Sequence, residues 1–433
     1  MKRPLICILL LSFVGPSLTA ATDARDINPP AALIPSSFFG MHIHHMVSQN
    51  GTSPLTPWPT VNVPEWRLWD ARVTWPDLEP TKGQWRFGVL DKSVEMAEAH
   101  HTEIMLTLGF TPPWASARPQ ESVGYNRGWA AEPTDIEDWI VFVRTVATRY
   151  KGRITIYEIW NEANLKAHYW TGSVEQMVSL VRTAHDVIKT IDPTAIIVSP
   201  SATTVYGLPW FSEFLSRGGG QYVDVIGYHF YVTPGPPEAM VELVEKLKDI
   251  MRANGVGNKP IWNTESGWLP PGPPIPDNIG AAYLARSYIL LWAEGVQRSY
   301  WYAWDDSGVS VRTTKADNAT PTLAGQAFGT MQKWLVGTRM DWCREDASQT
   351  WTCQLNRDGS PEWIVWNADR AVPFAAPPSW HVESVLPLLD AAHAFNDGIV
   401  ADQIPQLLTR TNTQPLVTKA LTVDATNGCQ FRI

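Results

Sequence analysis

Along the first three quarters of the chain short apolar runs recur, each closing on polar or aromatic residues. They fall at 37–43, 65–69, 103–108, 154–160, 196–199, 223–228, 260–264 and 299–303. Between most of them apolar positions repeat at the spacing of an amphipathic helix, as in 90–101, 135–150, 174–191, 237–253, 278–295 and 322–335. The punctuation agrees with the pattern. Thr134 or Asp135 can cap the helix that carries Glu137 in its first turn, and Asp192-Pro193 and Asn254-Gly255 supply stops. Strands alternating with helices of this length pair in parallel. Eight such units in about 300 residues predict an α/β fold, a (β/α)8 TIM barrel. The stretch 47–64 is rich in Pro and lacks a helical period, which predicts a long loop or a degenerate first helix.

Beyond Leu335 the helical period fades. Segments 351–355 and 363–367 alternate as strands around the turn Asn356-Arg357-Asp358-Gly359, and 383–389 and 415–423 can add others. The expected layout is a barrel over 22–338 and a small all-β, sandwich-like accessory domain over 339–433. Residues 1–21 read as a Sec-type signal peptide: Lys2 and Arg3, the apolar run 5–14, then small residues at the cleavage site. The segment is too short for a comfortable membrane span. The implied location is secreted or periplasmic, with no stable membrane insertion after cleavage. Cys7 leaves with the signal. An oxidising compartment permits a Cys343–Cys353 disulfide across a hairpin, contributing roughly 2.5–3 kcal/mol in the chain-entropy model. Cys429 is then left over, and its pairing with either of the others stays open.

Charge narrows the partners. The formal net charge of −9 lacks the cationic field a broad nucleic-acid binder needs. The chain holds 22 Trp residues, whose flat apolar faces pack cores and also stack on sugar rings. These features fit an oligo- or polysaccharide partner. A monomer is expected.

Two strand ends carry the chemistry. The fourth reads Tyr157-Glu158-Ile159-Trp160-Asn161-Glu162 and the seventh reads Ile261-Trp262-Asn263-Thr264-Glu265-Ser266-Gly267-Trp268. In a barrel, catalytic groups sit at the C-terminal ends of strands. Glycosidic cleavage needs one carboxylic acid to protonate the leaving oxygen and one carboxylate to attack C1 or activate water. Glu162 and Glu265 are therefore the candidate pair.

These motifs resemble those of clan A glycoside hydrolases. Trp160-Asn161-Glu162 is similar to the clan's acid/base motif and Thr264-Glu265 to its nucleophile motif. His229-Phe230-Tyr231 after strand six resembles its His-x-Tyr pair. Tyr300-Trp301 with Asp305 resembles its eighth-strand aromatic motif, and Arg67 stands where the clan places an arginine. The nearest resemblance is to glycoside hydrolase family 39, including its exopolysaccharide-cleaving bacterial members, with family 5 next. It covers residues 36–335.

The resemblance implies a retaining enzyme with Glu265 as nucleophile and Glu162 as acid/base, at a carboxyl separation of about 5–5.5 Å. Asn161 would meet the 2-hydroxyl of the sugar being cleaved. Tyr231 and Arg67 would hold Glu265 ionised, and His229 would shape the site. Trp301, with Trp304 second, is the expected ring platform. Trp268 and Trp114 are the expected lining residues of further subsites, and other Trp residues near strand ends, including Trp66, Trp69 and Trp75, are mostly packing. No cofactor and no metal is implied. The number of Trp residues near the rim favours endo-acting cleavage of a β-linked polysaccharide. An exo-acting β-xylosidase-like enzyme with a closed pocket is the alternative.

A rival uses the histidines. His42 and His44 share a strand face, the layout of a metal-dependent amidohydrolase barrel completed by Asp305. Strand five offers no histidine and strand four no lysine ligand, so hydrogen bonding at the floor of a sugar site is the better use of His42 and His44. A barrel that binds carbohydrate without cleaving it is the third reading, and the presence of both Glu residues weighs against it.

Overall fold

The computed structural model describes residues 25–410 apart from 53, 123–124, 167 and 271. The expected signal peptide, Cys7, the strand at 415–423 and Cys429 lie outside the described residues. The first strand, β1 (Arg25–Ile27), is followed by the barrel strands β2 (Phe39–His42), β3 (Glu65–Leu68), β4 (Glu103–Leu108), β5 (Ile156–Ile159), β6 (Ile196–Val198), β7 (Ala202–Thr203), β8 (Ile226–His229), β9 (Ile261–Ser266) and β10 (Val296–Trp301). The barrel sheet runs β6-β5-β4-β3-β2-β10-β9-β8-β7, all neighbours parallel. It closes where Ser199 N donates to Val225 O at 3.0 Å and Val225 N to Ile197 O at 3.2 Å. The predicted fifth strand is β6, the short β7 follows beyond its predicted end, and the predicted eight positions are all present.

Helices cover the outside: α1 (Trp75–Leu78), α2 (Gly88–Ala99), α3 (Ile136–Arg149), α4 (Val174–Ile191), α5 (Leu208–Ser216), α6 (Ala239–Ala253), α7 (Asp277–Ala293) and α8 (Leu323–Leu335). Asp135 is the cap of α3, accepting from Glu137 N at 3.0 Å. The long loop after β2 carries no helix among the described residues. The nine-residue α5 was not legible in the pattern: its run Leu-Pro-Trp-Phe-Ser-Glu-Phe-Leu-Ser is too short and too apolar to show a period, and burial of Trp210, Phe211 and Phe214 fixes it instead.

Strand alternation builds the barrel interior in layers. At the N-terminal end Arg298 Nη1 meets Glu65 at 2.6 Å and Glu103 at 2.9 Å, with its guanidinium 4.3 Å from the Trp262 ring. Above it Met105, Ile156, Val198, Val225, Trp262 and Tyr300 form an apolar plug. Gly40 is required here, because a Cβ would stand 2.3 Å from the Tyr300 ring. The layer above is polar and holds Arg67, Glu158, Thr107, Ser201 and Thr264, all buried.

The C-terminal part contains β11 (Arg339–Glu345), β12 (Thr350–Arg357), β13 (Ser360–Asn367), β14 (Val372–Phe374), β15 (Ser384–Pro387), β16 (His393–Ala394), β17 (Ile399–Ala401) and β18 (Gln406–Thr409). The main sheet runs β1-β11-β12-β13-β18-β15-β16, with β14 and β17 as a separate ribbon. One correction to the expected layout follows: residues 25–27, counted with the barrel, pair antiparallel with β11. Alternation along β13 explains the two faces. Ile364 and Trp366 join the barrel core, whereas Trp363 and Val365 face the cluster that includes Val372, Phe374 and Ile399 of the ribbon. Cys343 and Cys353 are opposite one another in register and form a disulfide.

Candidate active site

Two backbone features aim the carboxylates. Past β5, Trp160 has φ 73° and Glu162 φ 42°, left-handed conformations that cost a non-glycine residue roughly 1–2 kcal/mol each. They turn the chain over the barrel mouth instead of letting it run on. In β9 the register slips: Asn263 pairs with Ser299 and Ser266 with Trp301, so three steps on β9 oppose two on β10. This bulge, placed next to the chemistry, breaks strict alternation. Thr264 keeps the inner position, with its hydroxyl 2.7 Å from Ser201 Oγ, and Glu265 also reaches the mouth.

Glu162, His229 and Glu265 come together, with one ligating atom of each lying within 4.8 Å of the others. His229 Nδ1 is 2.9 Å from Glu162 Oε1 and 3.9 Å from Glu265 Oε1. Arg67 Nη1 donates to Glu265 Oε2 at 2.7 Å, and the Tyr231 hydroxyl donates to Oε1 at 2.9 Å. Arg67 is itself held by Glu158, which accepts from Nε at 2.8 Å and Nη2 at 2.5 Å, and by Asn161 Oδ1 at 2.7 Å. Glu158 also accepts from Thr107 and Ser201 at 2.7 and 2.6 Å. The whole guanidinium is buried and every side of it is engaged.

The electrostatics separate two roles. Burial pushes both Glu162 and Glu265 up to about 7. Facing each other across so short a gap, they titrate as a pair that keeps one proton near neutrality. Arg67 and the Tyr231 hydroxyl favour negative charge on Glu265. Burial lowers His229 to about 4, so Glu162 meets a neutral imidazole, and the shared proton rests on its side. Glu158 remains ionised: burial works against it, but Arg67 holds it below the ordinary carboxylate range.

Residues 79–305 match the family model for glycosyl hydrolases family 39, just over half of the chain. The chain belongs to glycosyl hydrolases family 39. A curated β-xylosidase from Caldicellulosiruptor saccharolyticus is 27% identical over 145 residues, a match spanning 30% of this chain and 30% of that protein. Among solved structures, a glucosidase from Croceicoccus marinus is similar at TM-score 0.64 and 14% identity, covering 89% of this chain and 98% of that one. A family 39 β-xylosidase from Caulobacter crescentus is similar at TM-score 0.62 and 16% identity, covering 89% and 97%. At these identities the structural likeness speaks to the fold, a TIM barrel with a C-terminal β domain.

Within this family 39 barrel the histidines and Asn161 line the same place. His42 Nε2 lies 3.1 Å from Thr264 O and 3.4 Å from Arg67 Nη1. The Asn161 amide nitrogen, His42 Nδ1, His44 Nε2 and His229 Nε2 are buried and have no protein partner. Buried polar atoms of that kind need a hydrogen-bonding guest. The metal-site alternative finds no support in the geometry. Asp305 spends its two oxygens on the backbone N–H groups of His44 and His45, at 2.8 and 2.7 Å. Among the described residues the one converging His/carboxylate group is Glu162, His229 and Glu265. There both Glu265 oxygens are taken and a guanidinium stands against one of them, which disfavours a cation.

The tryptophans are corrected. Trp301 and Trp304 are each 1% exposed and belong to the packed wall, because Tyr300 takes the inner position on β10 and its neighbour Trp301 faces outward. Trp301 packs on Trp268, which in turn donates to Gly235 O at 3.0 Å and lies against Tyr283. Trp114 donates to Glu79 O at 2.9 Å, meets Trp75 edge-on and lies under Lys82. Trp301, Trp304 and Trp268 are thus buried in the wall, and Trp114 is part-buried beside Trp75 and Lys82. The inner ring is Tyr302, two positions beyond Tyr300, half-buried against His42 at 5.0 Å and His44 at 4.8 Å. The alternation of β10 carried that signal, but the run Tyr-Trp-Tyr-Ala-Trp does not say which aromatic starts inside. Glu158 and Asp70 were also missed. Two-residue alternation back from Trp160 marks Glu158 as sharing a strand face with Ile156, and an acid on that face calls for a cation.

Proposed function

We propose that this protein is a retaining β-glycosidase working by double displacement. Glu265 attacks the anomeric carbon while Glu162 gives its proton to the leaving oxygen. In the second step Glu162 takes a proton from water, which enters on the face the leaving group vacated, and the Glu265 ester is released. The observation that carries this reading is the meeting of Glu162 and Glu265 with ligating oxygens within 4.8 Å, the short spacing of retaining rather than inverting pairs. Arg67 and Tyr231 support Glu265 as the charged partner, and the raised Glu162 suits a general acid near neutral pH.

Between the two modes of action, the exo-acting β-xylosidase-like reading is the better supported. The endo-acting reading rests on Trp residues lining the rim, and of the two preferred ones Trp268 is buried in the wall while Trp114 is part-buried against Trp75. The curated relative is a β-xylosidase. The signal-like N-terminus and the Cys343–Cys353 disulfide support a secreted or periplasmic location. The experiment is early-time proton NMR of products from aryl β-xyloside and β-glucoside, with Glu265→Gln as blank and chelator in a parallel tube. A β-anomer formed first, unaffected by chelation, supports the reading. An α-anomer formed first, or loss of activity on chelation, overturns it.

A further inference from the structure

The group that leaves must lie beside Glu162, the acid that protonates it, and the residues at the end of β7 are placed there. Thr203 is buried, and its N–H donates to Asn164 of the Glu162 loop at 3.0 Å. Its hydroxyl is close enough to the Glu162 carboxyl to favour the charged form, yet Oγ1 is buried and has no hydrogen-bond partner. A buried hydroxyl in that position needs a polar guest.

The chain beyond Thr203 is fixed. Thr204 has φ 58°, a left-handed conformation that a β-branched residue seldom adopts. Three bonds hold it. Its N–H donates to His229 O at 3.2 Å, its carbonyl accepts from the Tyr228 hydroxyl at 2.6 Å, and its own hydroxyl accepts from Tyr206 N at 3.3 Å. Gly207 completes the turn at a point where a Cβ would stand 2.9 Å from the Tyr228 hydroxyl and 3.3 Å from the Asn164 side chain. Leu208, buried, then opens α5.

Between these fixed points stands Tyr206, 85% exposed. It is three residues beyond Thr203, at most about 11 Å of extended chain, so its ring is within reach of a sugar held against Glu162. Other phenols of the mouth are engaged: Asp70 accepts from Tyr302 at 2.7 Å and from Tyr125 at 2.6 Å, and Tyr231 donates to Glu265. Among the described residues the Tyr206 side chain has no hydrogen-bond partner and no ring neighbour. A flat apolar ring left in water on a rigid turn is free contact surface.

From this placement we infer that Tyr206 is the platform on which the leaving sugar stacks, with Thr203 Oγ1 bonding one of its hydroxyls, so that the site recognises a sugar on both sides of the bond it breaks. The inference rests on the retaining-glycosidase reading and adds to it what is held on the leaving side. The same platform serves the second step. An acceptor sugar seated on Tyr206 gives its hydroxyl proton to Glu162 while its oxygen bonds to C1 and the Glu265 ester bond breaks.

The test uses the full chain and one glycone, xylose or glucose, whichever the aryl substrates identify. Its β-glycosyl fluoride has a leaving group without a ring, and its β-linked disaccharides, one for each ring hydroxyl, have a sugar. Tyr206→Ala should lower the ratio of kcat/KM on the best disaccharide to kcat/KM on the fluoride at least tenfold, with Tm unchanged. Tyr206→Phe should keep the ratio within threefold of wild type, because the ring and not the hydroxyl is the platform. With the fluoride as donor and the disaccharide as acceptor, transfer relative to hydrolysis should fall in Tyr206→Ala by a similar factor. An unchanged ratio in Tyr206→Ala overturns the inference while leaving the glycosidase reading intact. So does a wild-type protein that turns over the fluoride and none of the disaccharides. Failure of the wild-type protein on every aryl glycoside and fluoride removes the glycosidase reading, and the inference falls with it.

Discussion

Arg67 Nη1 stands 2.7 Å from Glu265 Oε2 inside a layer where the arginine has no access to water. The guanidinium is shared between two carboxylates, Glu158 below and Glu265 above, and only Glu265 is near the mouth. Glu158 therefore holds the cation and the cation holds the nucleophile. Removing one partner of a buried pair leaves the other charge unpaired, at a cost of about 3–5 kcal/mol.

Arg67→Met is expected to lower stability on that scale and to raise the pH at which Glu265 ionises. The acidic limb of kcat/KM should then move to higher pH, measured on an aryl glycoside below the variant's melting temperature. An acidic limb in its wild-type place would remove the assigned role of Arg67.

The Glu162–Glu265 pair should give a bell-shaped kcat/KM profile whose alkaline limb falls near pH 7, where the shared proton is lost. Glu162→Gln should abolish that limb and slow poor leaving groups by about 10²–10⁴, with much less effect on nitrophenolates that need no proton. Azide should rescue Glu162→Ala to a β-glycosyl azide and Glu265→Ala to an α-glycosyl azide. The sign also carries to folding. Both carboxyls bind protons more tightly when folded, so their contribution is full at low pH and is lost as pH rises from the ordinary carboxylate range through about 7. The Tm difference between Glu265→Gln and wild type should accordingly shift in favour of the variant from pH 5 to pH 8.

At the other end of the barrel, burial raises Glu65 to about 9, with Arg298 opposing. Glu65 is protonated at pH 7 in the folded state and ionised in the unfolded state, so stability falls as pH rises from the ordinary carboxylate range through about 9. Glu65→Gln should flatten that slope in a Tm-against-pH series without altering KM. A slope as steep as wild type would show that Glu65 is ionised in the fold.

Tyr302 and Trp301 are adjacent, yet they should behave differently. Trp301→Ala removes a ring from the packed wall and should cost about 3–5 kcal/mol, seen as a lowered denaturation midpoint with KM little changed in the fraction that folds. Tyr302→Ala should leave the midpoint nearly unchanged and raise KM at least tenfold. The reverse pattern would restore Trp301 as the sugar-facing ring.

Much of this was legible along the chain. The barrel period, the six helices between strands, the β hairpin that carries the disulfide and the two catalytic-type glutamates all follow from spacing and local motif. α5 was hidden by its shortness, and β7 by its length of two residues. The ring assignment failed for a different reason: five residues with four aromatics have no polar member to mark which face is wet.

The sequence by itself determined the order of strands and helices and placed Glu162 and Glu265 at strand ends, because periodicity and chain punctuation are local properties. Only the tertiary structure decided that β9 bulges at the nucleophile, that Arg67 is divided between Glu158 and Glu265, and that Asp70 ties Tyr302 to Tyr125. Each depends on which side chains meet after the sheet closes. Closure brings together residues as far apart as 70 and 302, a relation that no local pattern encodes.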